Sequence, residues 1–285
     1  MKNRKVMAMA AVLAAGMILA TGCGSSAADS TGTDAAADST AVTEEESADT
    51  SETGVSEAEN NEESTEDSAS ADGPLVIADQ GIFSAGGITL TSEGTFNPED
   101  HWEETGAGQT SHVDHANVLY QIPEDETGLP MVFLHGYGQS RMGWMTTPDG
   151  REGWSDMFLR MGHSVFLIDE PRRGEAGATS VSGEISTKTL DQRWYTQFRI
   201  GRWENGESVP NEGSQFPNDE ESLDQFFRQM TPDTGMTSDM GADFDNETVA
   251  RAVAATIDEV YDRTGKDSIL VTHSQGGNCT VVDLP

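Results

Sequence analysis

The segment Thr272-His273-Ser274-Gln275-Gly276-Gly277 follows directly on the apolar run Ser268-Ile269-Leu270-Val271. It is a variant of the G-x-S-x-G turn, with Thr272 in the first glycine position. A sharp strand-to-helix turn of this kind holds the serine Oγ above a sheet and aims the next backbone N–H, that of Gln275, at a substrate oxygen. It demands small residues where neighbouring chains approach closely, and Gly276 and Gly277 supply them. A second loaded stretch, His135-Gly136-Tyr137-Gly138, also follows an apolar run, Met131-Val132-Phe133-Leu134. As the turn after an early central strand, it offers the Tyr137 N–H as a second donor. The chemistry implied is acyl transfer, with Ser274 attacking an acyl carbon while the N–H groups of Gln275 and Tyr137 hold the developing oxyanion.

A serine hydroxyl needs a general base within hydrogen-bond reach. All six histidines, His101, His112, His115, His135, His163 and His273, precede Ser274, whereas the chain order in this kind of site is serine, acid, histidine. His135 therefore reads as structural. His273, if it continues the alternation of the preceding strand, points away from Oγ. Only 11 residues follow Ser274, with Asp283 as a lone late carboxylate. The expectation is a chain that carries the nucleophile but neither the acid nor the histidine of its triad, with esterase activity near background.

The elements that must position these turns are legible as patterns. Leu75-Val76-Ile77 and Gly87-Ile88-Thr89-Leu90 read as short strands separated by a Gly86-Gly87 turn, and 116–122 alternates as a third, an antiparallel opening. The unbroken apolar runs 131–134, 164–168 and 268–271 instead mark strands covered on both faces, as in a parallel sheet. Helices are expected over 154–161 and 246–264. The second places Val249, Val253, Ile257 and Val260 on one stripe, with Asn246 as its cap and Gly265 as its stop. Strand, helix, strand repeats give an α/β fold. Between them, about 175–245 reads as an inserted, cap-like region rich in Gly, Pro, acids and aromatics. Those aromatics either line an acyl or aryl pocket or form the insertion's own small core.

The amino-terminal part reads differently. Lys2, Arg4 and Lys5 precede an apolar stretch over 6–20 and the small residues before Cys23, the layout of an export signal too short for a comfortable membrane span. Residues 1–22 are read as a lipoprotein signal peptide and Cys23 as the lipidated residue. Residues 24–72 contain 15 acids, no Lys or Arg and no aromatic residue. With Cys23 they form an acidic tether over 23–72 that cannot bury enough apolar surface to order itself. Residues 73–285 hold 35 acidic against 13 basic residues, which argues against nucleic acid as a partner. No metal-ligand spacing or phosphate-cradling glycine loop is present, so no cofactor is expected.

The runs Pro74-Leu75-Val76-Ile77-Ala78-Asp79-Gln80-Gly81, His135-Gly136-Tyr137-Gly138, Phe166-Leu167-Ile168-Asp169, Gln215-Phe216-Pro217 and His273-Ser274-Gln275 resemble a group of secreted bacterial α/β-hydrolase esterases. The most specific stretch is Thr146-Thr147-Pro148-Asp149-Gly150-Arg151, within 143–154. The resemblance implies an α/β-hydrolase fold over 73–285, of which this chain holds the amino-terminal part, and hydrolysis of a small-molecule carboxylic ester. It implies Ser274 as nucleophile, with a glutamate and a histidine from strands beyond the nucleophile helix. Joined to Cys23, it implies an enzyme exported and lipid-anchored to the outside of a bacterial cell membrane. The competing expectation is a non-catalytic, ligand-binding lipoprotein of the same fold.

Overall fold

The computed structural model describes residues 73–102, 106–183, 185, 190–232, 234 and 245–281. The expected signal peptide, the tether, Cys23 and Asp283 lie outside the described residues. Among the described residues, no helix is long and apolar enough to cross a membrane.

A five-stranded mixed sheet carries the structure, in the order β1-β2-β4-β3-β7. Strands β1 (Ile77–Thr91) and β2 (Thr110–Pro123) are long and antiparallel. Strand β4 (Val165–Asp169) is antiparallel to β2, and β3 (Met131–Leu134) lies parallel between β4 and β7 (Ile269–Thr272). An α/β fold with an antiparallel start followed by parallel strands is thus observed as the sequence pattern implied.

The two-residue period of the apolar runs explains the layers. Val132, Leu134, Phe166 and Ile168 face helix α4 (Asn246–Thr264), meeting Val249, Ala252, Val253 and Val260. Met131, Phe133, Val165 and Leu167 face the other way, toward Leu159 and Phe158 of helix α1 (Trp154–Arg160). Both faces of β3 and β4 are therefore sealed. Each such side chain contributes about 1.5–3 kcal/mol of burial free energy.

Three local expectations are corrected. Gly86 and Gly87 do not end a strand: β1 runs through them as one element, with Gly86 paired to His115 and Ile88 to Val113. Both have positive φ, +68° and +81°, and Asp114 on β2 shares the distortion at φ 56°. The pair of strands bends here, and a Cβ on Gly86 would lie 2.9 Å from the Ala252 Cα of α4. Helix α4 spans the expected residues, but its cap is Asp245, whose carboxylate accepts the Thr248 N–H at 3.0 Å, one residue before Asn246. Strands β4 and β7 each end one residue later than the apolar runs, because Asp169 and Thr272 still pair with Asn117 and Leu134. The expected stop at Gly265 is present, in a left-handed conformation.

Between β4 and α4 lie helix α2 (Asp191–Gln197), a hairpin of β5 (Gly201–Glu204) and β6 (Glu207–Pro210), and helix α3 (Glu220–Arg228). Tyr195, Ile200 and Leu223, with Trp203, Phe216, Phe226 and Phe227, form a separate small core there.

At Gly87 a side chain meets two obstacles, the positive φ and a Cβ that would sit 2.6 Å from the Val113 carbonyl oxygen. Gly87→Ala is expected to lower unfolding free energy by about 2 kcal/mol, read as a lower urea midpoint at unchanged slope. An unchanged midpoint contradicts this account of the bend.

Candidate active site at the carboxyl ends of β3 and β7

Strand β3 is followed by α1 on one face of the sheet, while β7 is followed by the short 3₁₀ helix Ser274–Val281, which packs on α4 at the other face. Where adjacent parallel strands send their connections to opposite faces, a crevice opens outside their carboxyl ends. The in-register pairing of Leu134 with Thr272 sets the turns 135–138 and 273–277 side by side at that crevice. The His273 N–H extends the ladder by donating to the Leu134 carbonyl at 3.0 Å.

Ser274 then leaves the strand with φ at 51°, a left-handed conformation that few non-glycine residues adopt. Holding it there costs on the order of 1 kcal/mol. The turn is closed by the Gly276 N–H, which donates to the His273 carbonyl at 3.0 Å. Ser274 is exposed, Gln275 half-buried and Gly276 buried. A Cβ on Gly276 would lie 2.4 Å from the His135 carbonyl oxygen, so this close approach requires glycine. A Cβ on Gly136 would lie 3.0 Å from both the Ser274 Cβ and the His273 Nδ1. The two sequence-marked turns are therefore in van der Waals contact, and the serine sits at their junction.

The histidines differ in place. His135 is 2% exposed. Its Nε2 accepts the Glu170 N–H at 3.2 Å, which leaves Nδ1 to donate to the Gly136 carbonyl at 3.0 Å. Burial, with the nearby Arg173 cation, pushes its pKa down to about 3, so it is a neutral, structural group. His273 Nδ1 pairs with Gln139 Oε1 at 3.0 Å, and burial lowers its pKa. The His163 ring bonds the Leu129 carbonyl before β3, at the opposite end of the strand. Among the described residues, no histidine is hydrogen-bonded to Ser274.

Tyr137 is half-buried, and its ring stacks on Trp194 of α2 at 5.6 Å and 11° between planes. Trp194 in turn stacks on the exposed Phe198 at 4.5 Å. The Thr231 N–H donates to the Gly138 carbonyl at 2.8 Å. The region between β4 and α4 thus touches the turn after β3 twice. Its aromatics divide between the two roles the composition left open, one group forming a core and another reaching the site.

Charged residues behind the site escape a reading that starts from motifs. Directly after β4 come Glu170-Pro171-Arg172-Arg173, and Glu170 and Arg173 are each about 1% exposed. A charged run following a strand buried on both faces is the signal that points to them. The Arg173 Nε lies 3.4 Å from Glu170 Oε1, and its Nη1 donates to the Gly136 carbonyl at 3.1 Å. Burial pushes the Glu170 pKa up to about 7, opposed by Arg173 and reinforced by Asp169.

No known protein-family profile matches the chain. Among solved structures, it is similar to a bacterial esterase, with 27% sequence identity and a TM-score of 0.55, over 72% of this chain and 63% of the esterase. Among curated proteins, it is 38% identical over 76 residues to a probable secreted lipase from a fungal species, which covers 24% of this chain and 21% of that lipase. The chain is related to esterases and lipases of the α/β-hydrolase type. It spans 63% of the length of the bacterial esterase and 21% of that of the fungal lipase. Among the described residues, no cluster of His, Cys, Asp or Glu is arranged to hold a metal ion.

The raised pKa of Glu170 has a definite linkage sign. Its folded value of about 7 lies above the ordinary 4.5, so the native state binds this proton more tightly than the unfolded chain. That stabilisation is complete below the unfolded value and is lost as pH rises toward 7. Glu170→Gln has no such proton to lose. The melting temperature of the variant minus that of the wild type is expected to rise between about pH 5 and about pH 8; a flat or falling difference would contradict the shift.

Proposed function

We propose that this protein is a serine hydrolase acting on small-molecule carboxylic esters. Ser274 Oγ attacks the ester carbonyl carbon, and the N–H groups of Gln275 and Tyr137 receive the negative charge that develops on its oxygen. The ester C–O bond breaks and the alcohol leaves with the proton given up by the Ser274 hydroxyl; water then cleaves the acyl-serine, releasing the carboxylic acid and restoring the hydroxyl. The observation that carries this reading is the left-handed Ser274 at a strand-to-helix junction, pressed against the turn after β3. Such strain at an exposed serine is not repaid by side-chain packing and marks a residue held for its hydroxyl. The similarity to a bacterial esterase and to a stretch of a secreted lipase supports the same substrate class.

The protein is further proposed to be exported and lipid-anchored to the outer side of a bacterial cell membrane through Cys23. This rests on the signal-like residues 1–22 and on the secreted relative. One observation favours a second reading, a ligand-binding lipoprotein without turnover: among the described residues no histidine engages Ser274.

A fluorophosphonate reacts with an activated serine without needing the later hydrolytic step, and so separates the two readings. The protein expressed from its whole gene is expected to form a covalent adduct at Ser274, mapped by peptide mass spectrometry, that disappears in Ser274→Ala. If the intact protein takes up no phosphonate on prolonged exposure, the enzyme reading falls and the binding reading stands. For the anchor, cells supplied with an alkyne-tagged palmitate are expected to label the wild-type protein and not Cys23→Ser. Equal labelling of both would place the lipid elsewhere or nowhere.

A further inference from the structure

We infer that Arg173 is a positioning residue for this site: by holding the Gly136 carbonyl on the buried side of the turn after β3, it fixes the peptide unit whose N–H, on Tyr137, faces the reacting group. The inference rests on the reading of Tyr137 as an oxyanion donor.

A planar trans peptide points its C=O and N–H in opposite directions. Whatever grips the Gly136 oxygen therefore sets the direction of the Tyr137 N–H. That oxygen has three donors, Arg173 Nη1 at 3.1 Å, His135 Nδ1 at 3.0 Å and, within the turn itself, the Gln139 N–H at 3.2 Å. The second is itself held, because the Glu170 N–H occupies His135 Nε2 at 3.2 Å and so keeps the proton on Nδ1. Arg173 and Glu170 lie in one short turn after β4, closed by the Arg173 N–H donating to the Glu170 carbonyl at 3.1 Å. One turn thus supplies both the guanidinium and the amide that orients the imidazole.

The grip is needed because of what stands at position 136. The Ser274 Cβ and the His273 ring leave no room for a side chain there, since a Cβ would lie 3.0 Å from each. Glycine is the residue that fits, and it is also the residue whose flanking peptide rotates at least cost. Close approach to the nucleophile removes the steric restraint on the peptide; the side chains of Arg173 and His135 restore it, together with the Gln139 N–H of the turn.

Mutual attraction between Arg173 and Glu170 is a poor reason for burying them. An ion pair kept for stability is expected to be bidentate and fully hydrogen-bonded. Here the Arg173 Nε lies 3.4 Å from Glu170 Oε1, and neither Glu170 carboxylate oxygen accepts a hydrogen bond from a described residue. The guanidinium does make a well-formed hydrogen bond to the Gly136 carbonyl, at 3.1 Å. Glu170 then serves as a counter-charge and through its backbone.

Two variants test this in the full-length protein. Arg173→Met combined with Glu170→Gln removes both buried charges together, and Arg173→Lys keeps the charge on a shorter, single-point donor. Crystal structures read the orientation of the Gly136–Tyr137 peptide, and saturation kinetics with a fluorophosphonate read the maximal rate of Ser274 modification apart from the concentration for half-saturation. The double variant is expected to show the peptide rotated or in two orientations. Its maximal rate should fall by about 10²-fold, the scale of one lost oxyanion donor, with half-saturation changed by less than about threefold. Arg173→Lys should fall in between, and it decides the matter if the double variant does not fold. A carbonyl that keeps its direction in either folded variant with no side-chain donor other than His135 overturns the inference. Should the wild type take up no phosphonate while the variant peptide still rotates, the clamp stands and the hydrolase reading falls; a wild type that reacts, with variants that match it in rate and peptide direction, gives the reverse.

Discussion

Everything at the candidate site depends on one pairing, the parallel register of β3 with β7 that sets Leu134 opposite Thr272. Parallel strands end at the same side of a sheet, so whatever the chain places after each is brought together without further contrivance. The His273 N–H carries the ladder one step past β7 by bonding the Leu134 carbonyl. Only then does the backbone turn sharply, at Ser274. A sheet whose central strands β3 and β4 are buried on both faces thus delivers the serine to within contact of Gly136, and no loop flexibility has to be frozen to achieve it. The strain at Ser274 is sustained because its neighbours on both sides are held by backbone hydrogen bonds.

Behind the apolar layers, the carboxyl end of β4 gathers an unusual amount of buried charge. Asp169 accepts the Arg141 N–H at 2.8 Å and the Glu175 N–H at 3.1 Å, tying the segment after β3 to the turn after β4. Arg172 makes a bidentate pair with Asp114, at 2.9 and 3.0 Å, and reaches the α4 cap residue Asp245 at 3.2 Å. Burial alone would raise the Asp114 pKa, but hydrogen bonds from Arg172 and Ser180 hold it below the ordinary carboxylate range. Buried ion pairs seldom add net stability, because desolvation offsets attraction. Their effect is geometric. They admit one arrangement of the loops at a place where an apolar contact would tolerate several, and one of those loops, the segment after β3, borders Ser274.

The strands at the heart of the fold were legible because burial on both faces leaves an unbroken apolar run, and β3 matches its run residue for residue. The serine turn and the H-G turn were legible because each follows such a run. What escaped was governed by tertiary contact. Gly86-Gly87 looks like a turn by composition, yet pairing with β2 carries the strand through it, and helix α4 packs under the bend. The capping role passed from Asn246 to Asp245 because two adjacent residues have equivalent capping chemistry and the backbone decides between them. Arg173 was invisible as a site residue, since its importance lies in a carbonyl 37 residues away in sequence.

The aromatic side chains between β4 and α4 show how one composition serves two ends. Tyr195, with Ile200 and Leu223, closes a small core that gives this region its own order. Trp194, the preceding residue, points out of that core to stack on Tyr137. Neighbours on a helix lie about 100° apart around its axis, so adjacent aromatics on α2 necessarily face different partners. Because Tyr137 belongs to the turn after β3, the stack couples the position of α2 to the turn whose Gly136 carbonyl Arg173 holds.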